Sequence, residues 1–587
     1  MKRALDKIVA ALSLEEKASL CSGRDFWNTK SFERLGIYSW MMADGPHGLR
    51  KQVHDTNEAG LRESAPATCF PSGATLAATW NRELVEEVGQ ALGREAKAMQ
   101  VGVLLGPAVN IKRSPLCGRN FEYLSEDPYL TGELAKRHIM GVQSQGVGAS
   151  IKHFATNNQE KSRMSIDAVV DERALREIYL PAFETAVKEA QPWTVMCAYN
   201  RLNGHYCSEN AWLLDRVLKR EWGHTGIVIT DWGACADRVE GLKAGQDLDM
   251  PGDGGITDAE IVAAVEDGSL DERTLDAAVS RILDVSFRVL DNLSPSASFD
   301  AEAHHQLARR VAAEGIVLLK NEGGLLPIAG RRRVAFIGEF ARRPRYQGRG
   351  SSHVNPTRID DALEEARALC GDSSVEFAAG YSLSREEPDP ALASEAVALA
   401  AASDLAVLFI GLPESWESEG IDRSCLGMPK SHLRILESIA SVQKNLVVVL
   451  SNGAPIEMPW IDEVPAVLET YLGGQAWGGA VADILFGRQS PSGKLAESFP
   501  KRLEDNPSFL NFPGDARRVE YREGIFVGYR YYDAARVEPL FPFGHGLSYS
   551  RFEYSDLRLD KDALCDTETL GLGFDLENLV CCLLQLT

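Results

Sequence analysis

From Gly36 to about Met250 the chain alternates short apolar runs with helix-patterned stretches, and this alternation limits the available folds more than any other feature. The runs include "IYSWMMADG", "GATLAATW", "VGVLLGPAVN", "GASIKHFA", "PWTVMCAYN" and "GIVITDWG". Between them lie stretches such as "NRELVEEVGQALGREAKAMQ" and "DERALREIYLPAFETAVKEAQ". Apolar strands separated by helices build a parallel sheet. The number of units, and a length of about 250 residues, suit a (β/α)8 barrel of the TIM type, irregular in detail, with a doubly wound sheet as the alternative. Polar residues fall at the C-terminal ends of the runs: Asp44, Asn110, Lys152 with His153, Tyr199 with Asn200, and Asp231. In a barrel those ends converge on the face that holds the active site. A single such residue is equally well a cap or a turn residue; a succession of them points to a site.

The pattern breaks around 285–305, where "DNLSPSASFDAEAHHQ" is a polar, Ser/Pro-containing connector. The barrel domain is therefore assigned to 1–295 and a linker to 296–305. A second α/β block, 306–503, carries "RRVAFIGEF", "SSVEFAAG", "SDLAVLFIGL", "NLVVVLSNG" and "AVLETYLGG", which predict a second parallel sheet. Its "VAFIGEFARRPRYQG" lacks the GxGxxG turn of a dinucleotide site, and no cofactor is expected. Residues 504–548 form a connecting segment rich in Pro, Gly and aromatics. Residues 549–587, with "FEYSDLRLD" and "LGLGFDLEN", begin like a β-sandwich, with too few strands for an independent one.

The net charge of −22, from 62 basic and 84 acidic residues, argues against nucleic acid and against an anionic membrane surface as partners. No window offers the ~20 unbroken apolar residues of a membrane helix. The opening "MKRALDKIVAALSLEEKASL" reads as an amphipathic helix, without the apolar core of a signal peptide. Eleven cysteines are scattered, with no CxxC pair and no zinc-ligand spacing, and read as reduced thiols of a cytoplasmic protein that binds no metal.

Asp231 follows four apolar or β-branched residues and precedes Trp232. A carboxylate there, beside a sugar-stacking indole, suits a nucleophile; a helix N-cap is the alternative. Lys152, His153 and Arg163, in "IKHFATNNQEKSR", supply donors and positive charge on the same face. "MMADGPHGLR" offers Asp44 and Arg50, and "GRNFEYLSEDP" offers Arg119 and Glu122; each alone would pass for a surface turn. In the second block "GLPESWESEG" leaves the end of an apolar strand with Glu414, Glu417 and Glu419, at the position where open α/β sheets bind ligands.

Together these elements resemble glycoside hydrolase family 3, the β-glucosidase family. The motifs that carry the resemblance are "DGPHGLR", "GRNFEYLSEDP", "KHFATNNQE", "CAYNRLNG", "TDWGA", "GSSHV", "ESEGIDR", "YREGIFVGYRYYD" and "PFGHGLSY", in the family's order and across nearly the whole chain to about residue 555. The resemblance implies a TIM barrel, an α/β sandwich domain and, from 549, a truncated fibronectin-III-like fragment; an incomplete sandwich leaves edges that invite homo-oligomerisation. It implies Asp231 as nucleophile and Glu419 as general acid/base. Asp44, Arg50, Arg119, Lys152, His153 and Arg163 would cage the sugar, Met196 and Tyr199 would line its subsite, Trp232 would shape the floor, and Ser351 would reach in from the second domain. The large insert that some members carry after "GSSHV" is absent.

The implied substrate is a small glycoside, hydrolysed from its non-reducing end as a terminal β-D-glucosyl residue. Retention needs two carboxyl groups ~5–5.5 Å apart. The acid's pKa is expected to be raised and the nucleophile to stay ionised among the cations. "TDW" and "DGPHGLR" resemble the glucosidase branch, while "KHFATNNQE" and Glu419 speak against the N-acetylglucosaminidase branch. A β-xylosidase or α-arabinofuranosidase of the same family, and a non-catalytic sugar-binding protein on this scaffold, are the alternatives. Glu414 is expected to be plain surface charge, and Glu417 either to face the aglycone or to tune its neighbour.

Overall fold

The computed structural model describes residues 5–53, 64–330, 332–371, 374–515 and 517–579. Apart from Leu579, the closing "LVCCLLQLT" with Cys581 and Cys582 lies outside the described residues.

Five parallel strands form the first sheet in chain order: β1 (Met41–Asp44), β2 (Val101–Leu105), β3 (Gly148–Phe154), β4 (Thr194–Cys197) and β5 (Ile227–Thr230). Hydrogen bonds carry the ladder onward. Thr230 N donates to Leu248 O at 3.1 Å, Gly23 N to Asp249 O at 3.0 Å, and Met42 N to Trp27 O at 2.9 Å. The segment around 248–249 is parallel to β5 and to 22, whereas 28–29 runs antiparallel to 23 and to β1. The ring therefore closes as a TIM-like barrel in which three of the staves are bridges too short to count as strands and one is reversed. "CSGRDFWNT" contains no apolar run, so the two staves at 22–23 and 28–29 carry no strand signal.

The second domain holds a six-stranded sheet of β6 (Val317–Asn321), β7 (Val334–Ile337), β8 (Val375–Ala378), β9 (Leu405–Gly411), β10 (Leu446–Ser451) and β11 (Ala466–Glu469). The order is β8-β7-β9-β10-β11-β6, parallel except for β6, which runs antiparallel to β11. The expected purely parallel sheet is thus mixed, with one edge strand that the sequence reading did not single out. Side chains alternate between faces, as strand geometry requires. Phe336, Val407 and Phe409 pack with the helices Ala301–Gly315, Ala362–Cys370 and Trp477–Leu485. Ile337, Leu408 and Ile410 pack with Pro390–Ala402 and Lys430–Val442. The fold is an α/β sandwich.

Three further expectations are corrected. "GATLAATW" is not a strand but the helix Gly73–Ala78, buried throughout; a short, wholly apolar run has no period to separate the two states. "DERALREIYLPAFETAVKEAQ" is not one helix. Leu180 N donates to Leu175 O across a π-type turn, and a new helix starts at Pro181, which has no N–H to continue the first. The N-terminal stretch forms two short helices, Leu5–Val9 and Leu14–Leu20, divided at Ser13, which makes a capping box with Glu16. Beyond the connecting segment, Phe552–Leu559 and Leu572–Asn578 pair as an antiparallel hairpin exposed along both strands.

Candidate active site

At the C-terminal ends of the barrel strands lies a cavity of about 520 Å³, roofed by loops of the second domain. Asp44, Arg50, Arg119, Lys152, His153, Arg163, Tyr199, Asp231, Trp232, Ser351 and Glu419 all line it. Met196 does not. Its side chain is 1 % exposed and belongs to the barrel core with Met42, Val103 and Ile229. Strand β4 turns Met196 inward, so the expected lining role is corrected to packing beneath the site.

Asp44 closes β1, and Lys152, on β3, places Nζ 3.4 Å from its Oδ1. His153 is fixed by Asn110, whose Oδ1 accepts from His153 N at 3.0 Å and whose Nδ2 donates to His153 O at 2.9 Å. That leaves His153 Nε2 3.7 Å from Asp231 Oδ2. Asp231 directly follows β5; its Oδ1 accepts from Trp232 N at 2.8 Å, which turns Oδ2 toward the cavity. Tyr199 donates through its hydroxyl to Trp232 O at 3.2 Å, and the Arg163 guanidinium lies 5.0 Å from the Tyr199 ring centre.

The second domain supplies the loop after β9. Glu419 Oε2 accepts from Ser351 N at 2.6 Å, Oε1 lies 2.8 Å from Arg163 Nη1, and Arg119 Nη1 is 3.7 Å away. Gly350 has φ +112°, and a Cβ there would sit 2.3 Å from that of Glu419, so only glycine allows this approach. The other two glutamates differ. Glu417 is buried and accepts Gly453 N on both oxygens at 2.8 and 2.9 Å; it anchors the loop and does not face an aglycone. Glu414, expected to be idle charge, stands 3.8 Å from His353 and lines an outer cavity that shares Arg50, Gly350 and Glu419 with the inner one.

The electrostatics reverse one expectation. Burial raises the Asp231 carboxyl, with Arg119, Lys152 and Arg163 working against it. Burial also pushes Glu419 upward, but Arg119, Arg163 and the Ser351 amide overrule it and hold the carboxyl well below its usual range. The Glu419 carboxyl is thus shifted down and the Asp231 carboxyl up. The physical reason is direct contact: the arginines pair with Glu419 and stand off from Asp231. His153 is held neutral by burial and by Arg119, Lys152 and Arg163, so the charge of the cage comes from arginine and lysine alone. Among the described residues no group of three or more His, Cys, Asp or Glu side chains is placed to hold a metal ion.

Two family models match in sequence order: the glycosyl hydrolase family 3 N terminal domain over 17–285 and the family 3 C-terminal domain over 316–549. The chain belongs to glycoside hydrolase family 3. Within it, the chain is 59 % identical over 575 residues to thermostable beta-glucosidase B of Acetivibrio thermocellus, spanning 98 % of this chain and 76 % of that protein. It is 49 % identical to an exo-alpha-(1->6)-L-arabinopyranosidase of Bifidobacterium longum, over 94 % of this chain and 74 % of the relative. The solved structure of beta-glucosidase 3B from Thermotoga neapolitana in complex with glucose superposes with a TM-score of 0.88 at 39 % identity, covering 98 % of this chain and 86 % of that one.

The family 3 cavity also contains residues the sequence reading did not select. Phe26 and Trp27, in the bend that leads into the reversed stave, form an aromatic wall with Trp232: the Trp27 and Trp232 rings are 5.3 Å apart, and Trp232 Nε1 donates to Phe26 O at 2.7 Å. Gly233 and Pro251 complete that side. The available signal was the pair of adjacent aromatics in "GRDFWN", which no strand pattern marked as part of the barrel.

Proposed function

We propose that this chain is a retaining exo-acting β-glucosidase, with Asp231 as nucleophile and Glu419 as acid/base. The observation that carries the proposal is a single cavity in which Asp231 of the barrel and Glu419 of the second domain stand among cations and hydroxyl-binding groups. Asp231 Oδ2 attacks the anomeric carbon while Glu419 gives its proton to the glycosidic oxygen, and the aglycone leaves as an alcohol. Glu419, now a carboxylate, takes a proton from water; the water oxygen attacks the same carbon, releasing glucose and restoring Asp231. Asp44, Arg50, Lys152 and His153 bind the hydroxyls, and the Trp232 wall takes the ring face. The second step uses Glu419 in the ionised form favoured here. The first needs its proton, so the incoming sugar must draw Arg163 away from Oε1.

The resemblance to an arabinopyranosidase favours a second reading, a sugar lacking the exocyclic CH2OH carbon. A panel of aryl β-glucoside, β-xyloside, α-L-arabinofuranoside and α-L-arabinopyranoside separates these, with Asp231→Asn as control. Preferential turnover of the glucoside, abolished in the variant, supports the proposal; preference for a pentoside, or an active variant, contradicts it.

A cytoplasmic setting fits the nine described cysteines, all free thiols. No helix of the described residues is long and apolar enough to cross a membrane. The exposed hairpin at 552–578 fits the opening strands of a fibronectin-III-like sandwich, and its bare edges fit a homo-oligomer, which light scattering decides.

A further inference from the structure

Three residues beyond Glu419, Asp422 reaches across the domain boundary and grips barrel backbone. Its Oδ1 accepts from Gly118 N at 3.1 Å and from Glu160 N at 2.9 Å, and its Oδ2 accepts from Lys161 N at 2.8 Å. These amides are not arbitrary. Gly118 directly precedes Arg119, and Glu160 and Lys161 stand just before Arg163, the two arginines that face Glu419. One carboxylate thus fixes the relative positions of three loops, those carrying Glu419, Arg119 and Arg163.

Other contacts close the same joint. Gly420 N donates to Glu160 Oε2 at 2.8 Å, and Arg423 N donates to Leu116 O at 2.8 Å. A Cβ on Gly118 would come 1.7 Å from Ile421 O and 2.5 Å from Ser418 O, so the loops meet with no space for a side chain. Between Glu419 and Asp422 the chain makes a tight turn: Ile421 N donates to Ser418 O at 3.3 Å, Ser418 Oγ to Glu419 O at 2.9 Å, and Gly420 takes φ +86°. Only two residues separate the two carboxylates, so the placement of one bears directly on the other.

We infer that Asp422 is a positioning residue for the acid/base, setting the Glu419 carboxylate against the barrel through the Gly118, Glu160 and Lys161 amides. The inference rests on Glu419 being the acid/base. Asp422→Asn keeps the size but offers one oxygen, and N–H donors that oppose the amides. Gly118→Ala strains the joint from the barrel side while keeping the Asp422 carboxylate itself.

The test compares kcat/KM on an alkyl β-glucoside, whose leaving group needs protonation, with kcat/KM on 2,4-dinitrophenyl β-glucoside, whose leaving group does not. A misplacement of about 1 Å can cost ~10²-fold, so both variants should lose about that much on the alkyl substrate and little on the activated one. Azide should partly restore kcat on the activated one. Thermal midpoints monitor folding, and a merely structural role would move them without splitting the substrates. Equal losses on both substrates, or wild-type values on the alkyl glucoside, overturn the inference. Glu419→Ala is run in parallel: a selective loss there but not in the two variants defeats the positioning role alone, whereas no selectivity in Glu419→Ala defeats the acid/base assignment beneath it.

Discussion

Arg163 Nη1 lies 2.8 Å from Glu419 Oε1, so a barrel guanidinium neutralises the carboxylate delivered by the other domain. The same Nη1 is 2.8 Å from Glu160 Oε2, which places one cation between two acids. Removing it should free Glu419 to bind a proton. Arg163→Gln is expected to raise the Glu419 carboxyl toward its ordinary range by about 1–3 units. Titration of the Glu419 side-chain carbon by NMR checks this; a carboxyl that stays as low as in the wild type contradicts it.

Glu160 gives a stability prediction with a definite sign. Burial raises its carboxyl to about 7, with Arg119 and Arg163 opposing and Glu419 assisting. A folded pKa above the unfolded one stabilises fully below the unfolded value, and that stabilisation is lost as pH rises through about 7. Glu160→Gln lacks this dependence. Its stability relative to wild type should therefore improve from pH 5 to pH 8, by up to roughly 3 kcal/mol at about 1.4 kcal/mol per pKa unit. Calorimetric midpoints at one scan rate check this; a constant difference between the two proteins contradicts it.

The aromatic wall should act on binding more than on chemistry. Trp232 packs against Trp27 at 5.3 Å and is held by the Phe26 carbonyl. Trp232→Ala is expected to raise KM for an aryl glucoside by roughly tenfold, the worth of about 1.5 kcal/mol of ring contact, with a smaller fall in kcat. Glucose titration of the wild type should change tryptophan emission, and the variant should show less of that change. A kcat loss with KM unchanged would assign Trp232 to the reacting centre instead.

Much of the site was legible because chemistry sits where strands end. Asp44 and Asp231 stood out because they end or directly follow apolar runs, and Lys152 and His153 because they interrupt one near its C-terminal end. Met196 misled because a residue on a short strand faces either side, and one position in register decides between cavity and core. The bend with Phe26 and Trp27 leads into a reversed stave held by backbone bridges, which leave no periodic trace in side-chain type. The proton balance between Asp231 and Glu419 was illegible for another reason. It depends on which carboxylate the arginines touch, and that is set by how the two domains meet.

The chemistry is decided by trapping the covalent intermediate. The wild-type protein is incubated with a 2-deoxy-2-fluoro-β-glucosyl fluoride, digested and mapped by mass spectrometry. The nucleophile assignment predicts one fluoroglucosyl adduct, on the peptide containing Asp231, with activity lost in step with labelling. An adduct on Glu419 or another carboxylate, or full inactivation with Asp231 unlabelled, would contradict it.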